Sequence, residues 1–100
     1  MSIPQPLPPQ EDAHGDARIF KALGDANRVR IVGLLACEGE KSATQIADAM
    51  GLSLALVSHH IKVLADAGVV HTRKEGQTRY CRVDERVITG ACEKLIGGGG

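Results

Sequence analysis

Two helical patterns stand back to back around Gly51, and their tight junction constrains the fold more than any other feature of the chain. Ala43, Ile46, Ala47 and Met50 repeat at helical spacing, opened by Ser42 with Gln45 in a capping-box pattern and stopped at Gly51 after barely two turns. Ser53 then stands where the next helix needs an N-cap, and that helix runs to Gly68. Beyond it, "VVHTR" and "TRYCRV" are β-rich runs joined by "KEGQ", which reads as a hairpin with a basic tip. Two helices joined by a short glycine-containing turn and followed by a β-hairpin make a winged helix-turn-helix.

The remaining segments fit around that unit. Residues 12–24 carry Ile19, Phe20 and Leu23 on one side and end at Gly24. Asp25 sits at an N-cap position, with Val29, Ile31, Val32, Leu34 and Leu35 giving a broad apolar face through residue 37. Asp84 is placed to cap a last helix striped by Val87, Ile88, Ala91, Cys92 and Leu95. The expected fold is therefore mainly α with a small β-hairpin, in the order α-α-α-α-β-β-α. Residues 1–10, with all four prolines, read as a disordered arm, 11–96 as the folded domain, and 97–100 as a flexible glycine tail. Phe20 and Tyr80 are the only aromatics, so the core must be aliphatic. A thin core in one small domain favours burial against a second copy. The stripes Ile19/Phe20/Leu23 and Val87/Ile88/Ala91/Leu95 are the expected interface of a homodimer.

Function concentrates in "SHHIKVL". At 100° per residue, Leu54, Val57, Ile61 and Leu64 share one side of the helix, while Ala55, Ser58, His59, Lys62 and Asp66 share the other. His60 falls on a flank near Leu56 and Val63. A metal site is disfavoured, because adjacent helical positions diverge and ligands on one helix need i,i+3 or i,i+4 spacing. A catalytic role would need a nucleophile with a base and an orienting carboxylate, and no such constellation assembles, so no enzyme is expected. A face of small, hydrogen-bonding groups is instead suited to a major groove. Charge supports this. Residues 53–82 hold five basic side chains against two acidic, whereas 1–52 hold five against seven, on a chain of zero net charge. Phosphate contact needs clustered cations rather than a global excess. The candidate DNA-contacting set is Ser53, Ala55, Ser58, His59 and Lys62 on the helix, with Arg73, Lys74, Gln77 and Arg79 on the wing. A winged-helix module for protein contacts without DNA affinity is the alternative.

Three stretches, "FKALGDANRVRIVGLL", "QIADAMGLSLALVSHHIKVLADAGVV" and "RKEGQTRYCRV", closely resemble the ArsR/SmtB family of bacterial winged-helix repressors, in the family's order and spacing across roughly residues 16–95. The resemblance implies a homodimer joined through its first and last helices, bound to double-stranded operator DNA at an inverted repeat and released by an inducer. It also implies where metals would bind, and this chain departs there. The stretch matching the family's cysteine-bearing third helix reads "KSATQIAD", without a thiol, and no histidine follows His71. Both common family metal sites are thus absent, no cofactor is assigned, and a thiophilic ion such as arsenite joins oxidants and reactive sulfur as an inducer class. Some relatives sense oxidants or reactive sulfur through one thiol on the second helix and one on the last. By that resemblance Cys37 and Cys92 are the candidate sensing thiols, with Cys81 on a wing strand a lesser one; simple packing as small hydrophobes is the other reading. Three spaced thiols without CxxC, no secretory signal and no apolar run long enough to span a bilayer point to the cytoplasm and to no membrane partner.

Overall fold

Side-chain caps set the helix starts. In the computed structural model, which describes residues 10–97 and the side chains of 16–97, helix α1 spans Gln10–Ala22 and α2 spans Ala26–Glu38. Asp25 accepts from the amides of Asn27 (2.9 Å) and Arg28 (3.2 Å), fixing the start of α2. Helix α3 (Ala43–Met50) opens with a complete capping box: the Gln45 amide donates to Ser42 Oγ at 3.1 Å, and the Ser42 amide to Gln45 Oε1 at 2.9 Å. Gly51 closes it in the left-handed region at φ 67°, where a side chain would be strained. Helix α4 (Leu54–Asp66) starts on Ser53, whose Oγ accepts from the Leu56 amide.

The sheet is larger than the expected hairpin. Strands β2 (Val70–Glu75) and β3 (Thr78–Val83) pair antiparallel, but a two-residue strand β1 (Lys41–Ser42) pairs with the far edge of β3, giving the order β1-β3-β2. The turn is also tighter than the four residues of "KEGQ". Lys74 and Glu75 lie on the strand opposite Arg79 and Thr78, leaving Gly76 (φ 63°) and Gln77 as the turn. Helix α5 (Glu85–Leu95) follows β3 directly. Gln10 is already helical rather than part of an arm. The rest of the proline-rich segment, residues 1–9, and the last three glycines lie outside the described residues.

The core is aliphatic, as the scarcity of aromatics requires. Ile31 and Leu35 of α2, Ile46 of α3, and Val57, Ile61 and Leu64 of α4 pack with Val69, Val70 and Cys81. Phe20 and Tyr80 are only half-buried. Helix α4 is thus gripped from within by α2, α3 and the sheet, which holds its opposite face outward.

Candidate nucleic-acid interface

The outward face of α4 carries Ala55, His59 and Lys62, all exposed, and Ser58, half-buried at the edge of a cleft of about 250 Å³. That cleft lies between the N-terminal half of α4, the start of α3 and the wing; Thr44, Leu54, Ser58, Lys74, Gln77 and Arg79 are among its walls. The structure therefore brings Ser58 together with Lys74, Gln77 and Arg79, residues up to 21 positions apart in sequence. Ser53 contributes a hydroxyl already committed to capping α4. Lys62 lies 3.8 Å from Asp66 one turn along, an exposed pair of little energetic weight. At the wing tip, Lys74 stands directly opposite Arg79. Two cations in facing positions repel one another, so this arrangement gains nothing for the sheet and favours a bound anion.

Two features of this face lie beyond what the sequence displays. Leu54, the first residue of α4, does not join Val57, Ile61 and Leu64 in the core; it is half-exposed and lines the cleft. Arg73 does not project from the wing as a free cation. Its guanidinium is held by Glu40 (2.7 Å) and Glu75 (2.6 Å) and lies 4.5 Å over the Tyr80 ring. That hydrogen bond keeps the Glu40 carboxyl below the usual carboxylate range, and the two carboxylates hold Arg73 firmly charged. Arg73 braces the wing against the α2–β1 turn. Thr44 and Thr78 were not singled out in the sequence; they reach the cleft only because β1 and the hairpin meet at β3.

The adjacent histidines separate as the helical geometry requires. His59 is exposed, while His60 is buried, with Nδ1 3.3 Å from the Arg28 guanidinium. Arg28 can only donate, so Nδ1 is the acceptor in this contact. The same arginine donates through Nε to the Ala22 carbonyl, tying α1, α2 and α4 together. His60 packs inward as a bridge to α2. Among the described residues no group of three or more His, Cys, Asp or Glu side chains is arranged to hold a metal.

The thiols divide as well. Cys81 is fully buried on β3, and burial pushes its pKa up to about 11. Cys37 and Cys92 are exposed, so neither packs as a buried hydrophobe within the chain. Of the apolar stripes, Ile19, Leu23 and Ile88 partly pack against this chain's own core, and Ala91 is buried outside that cluster. Phe20 and Val87 are half-buried, and Leu95 is 70 % and Ile96 80 % exposed at the end of α5. Asp84, expected to cap α5, makes no cap hydrogen bond; it takes His71 Nε2 at 2.8 Å instead, which holds its carboxyl below the usual range. No helix among the described residues is long and apolar enough to cross a membrane.

Comparison with known proteins fits this geometry. A family model described as a helix-turn-helix domain matches residues 17–73. The chain is 37 % identical over 80 residues to a cadmium resistance transcriptional regulatory protein CadC homolog of Staphylococcus aureus, covering 80 % of this chain and 66 % of that one. It is 32 % identical over 77 residues to an arsenical resistance operon repressor of Staphylococcus aureus, covering 77 % and 73 %. Its fold matches the homodimeric winged helix-turn-helix DNA-binding domain of a possible ArsR-family transcriptional regulator from Mycobacterium bovis, with a TM-score of 0.73 at 30 % identity, covering 93 % of this chain and 88 % of that one. With its helix-turn-helix matched in sequence and its wing matched in structure, the chain belongs to the ArsR family of winged helix-turn-helix transcriptional regulators, DNA-binding proteins rather than enzymes.

Proposed function

We propose that the protein acts in the cytoplasm as a homodimeric repressor whose residues 11–96 bind an inverted-repeat operator. Helix α4 of each subunit enters the major groove, where Ser58, His59 and Lys62 meet base edges and phosphates, flanked by Ser53 and Ala55. Lys74, Gln77 and Arg79 of the wing hold the adjacent backbone, and Arg73 sets the angle of the wing. The observation that carries this reading is the single cleft joining Ser58 of α4 to Lys74, Gln77 and Arg79. Dimerisation would use the half-buried Phe20 and Val87 with Leu95 and Ile96, the last two of which one chain leaves in water. The homodimeric state of the Mycobacterium bovis domain supports it. Titration of duplexes from the chain's own upstream region with His59→Ala and Lys62→Ala proteins tests the assignment. Each lost base contact weakens binding by about 1–3 kcal/mol and relaxes sequence preference. Unchanged affinity in both variants would refute the placement of α4.

Release by an inducer acting on thiols is the finer part of the proposal. The names of two relatives, for cadmium and for arsenical resistance, point to soft, thiol-seeking ions as one inducer class; oxidants and reactive sulfur are the other. Exposed Cys37 and Cys92 are the responsive candidates. Cys81 falls behind them, since a buried thiol with a raised pKa is a poor nucleophile and ligand. DNA titration of the Cys37→Ser, Cys92→Ser and Cys81→Ser proteins, with and without arsenite, cadmium, peroxide or polysulfide, checks this. Release must disappear with Cys37 or Cys92; if the triple variant is still released by the same agent, sensing lies elsewhere.

A further inference from the structure

Helix α4 has a second flank, on the side away from the wing. There α1 lies beside it, and the space between them is a cleft of about 450 Å³. Arg18, Lys21, Arg28 and His59 line it together with Val63 and Asp66, so three permanent cations face one carboxylate. Arg28 is occupied, bonded to the Ala22 carbonyl and His60. Arg18 is anchored rather than consumed: one Nη donates to the Asp66 carbonyl at 2.8 Å, which holds the guanidinium beside the cleft, and its other N–H groups have no partner among the described residues. The Asp66 carboxylate is turned to Lys62 at 3.8 Å. Lys21 and His59 are exposed and enter no ion pair among the described residues.

A recognition helix in the major groove lies between two phosphate rows, one along each strand, across a groove about 12 Å wide. The wing cleft supplies cations to one row. We propose that the Arg18–Lys21–His59 cleft between α1 and α4 binds a phosphate of the opposite strand, so that α1, beyond any part in dimerisation, forms the second wall of the DNA-binding face. This rests on the placement of α4 in the groove. The fixed guanidinium suits a phosphoryl oxygen pair, and the mobile Lys21 ammonium adds charge beside it.

The test is binding of the full-length protein to a mixed-sequence duplex, with affinity followed against sodium chloride concentration. Each phosphate contact contributes about 0.9 to the slope of log K against log salt. Removing the cleft's phosphate contact in the Arg18→Ala/Lys21→Ala protein flattens that slope by about 0.9 per subunit, and Lys21→Ala and Arg18→Ala alone each flatten part of it and weaken binding at about 0.1 M salt. Arg18→Ala removes a link between α1 and α4, so thermal melting accompanies it; Lys21→Ala, at an exposed position, carries the test if the arginine variant is poorly folded. Lys74→Ala and Arg79→Ala proteins run in parallel. If they flatten the slope and both α1 variants keep the parent slope, the second wall is refuted while the α4–wing reading stands. If none of the four changes the slope, that reading fails with it. A final arm replaces chloride by inorganic phosphate at matched ionic strength without DNA. Saturable shifts of the Arg18, Lys21 and His59 amides at low phosphate would reassign the cleft to a small anion and overturn the DNA-backbone proposal; no saturation supports it.

Discussion

Helices α4 and α5 start from similar sequence cues and end in opposite situations. Each follows an N-cap residue, Ser53 or Asp84, and each carries an apolar stripe. In α4 the stripe is consumed: Val57, Ile61 and Leu64 are buried, with His60 bonded to Arg28 on the inner side. In α5 only Ala91 is buried, and Leu95 and Ile96 stand in water. A helix that must hold polar groups at a fixed angle to a rigid partner is locked by its own chain. One that closes a contact between copies keeps its apolar groups for that contact. This difference fits the roles proposed for them.

The comparison breaks most easily inside α4. Ile61→Ala removes buried volume at the centre of the core and destabilises the fold by about 2–5 kcal/mol in urea denaturation, without changing the sensitivity of stability to protein concentration. Leu95→Glu has the reverse signature. Two apolar side chains lost per dimer, each worth about 1.5–3 kcal/mol, raise the dimer dissociation constant by roughly two to four orders of magnitude in sedimentation, while secondary structure is retained. A Leu95→Glu protein that sediments as the parent does would remove α5 from the interface. A smaller effect falls on the wing: Lys74→Ala weakens binding to all sequences alike and lowers the salt slope by about 0.9 per subunit, because the change touches phosphate contact rather than base reading.

Acid sensitivity sharpens the contrast between the two caps. Asp25 is held below the ordinary range chiefly by the Arg28 amide, and Asp84 by the His71 hydrogen bond. Their pKa values are lower folded than unfolded, so each contributes stability above the unfolded value of about 3.9 that is lost as pH falls through the folded one. Asp25→Asn and Asp84→Asn should both flatten the fall in stability below about pH 4, as read from melting curves. His71→Ala should do the same only where Asp84 matters, since that aspartate bonds to His71 in place of the α5 amides. The smallest expected difference is chemical: under mildly alkaline labelling, Cys81 is the last thiol to react, until the protein unfolds.

What was legible in the sequence was local. The Ser42–Gln45 box, the Ser53 cap, the Gly51 stop and the β-rich runs of the wing each express a hydrogen bond or a dihedral preference within a few residues. What escaped was set by distant partners. Asp84 looks like a cap until His71, 13 residues earlier, competes for it. Arg73 reads as a wing cation, and its pairing at 2.7 Å with Glu40, 33 residues away, leaves no trace in the sequence. Strand β1 is two residues long, too short for any alternation to register, and exists because β3 offers it an edge. The cleft between α1 and α4 combines residues 18 and 21 with 59, a juxtaposition that no helical periodicity contains.

The central claim is that α4 and the wing together form the DNA-binding face. Amide chemical-shift mapping of the isotopically labelled protein, titrated with a mixed-sequence duplex, tests it most directly. The account predicts the largest shifts at Ala55, Ser58, His59 and Lys62 of α4 and at Lys74, Gln77 and Arg79 of the wing, with Ile96 and the end of α5 unmoved. Shifts centred on α5, with α4 and the wing unchanged at saturation, would contradict it.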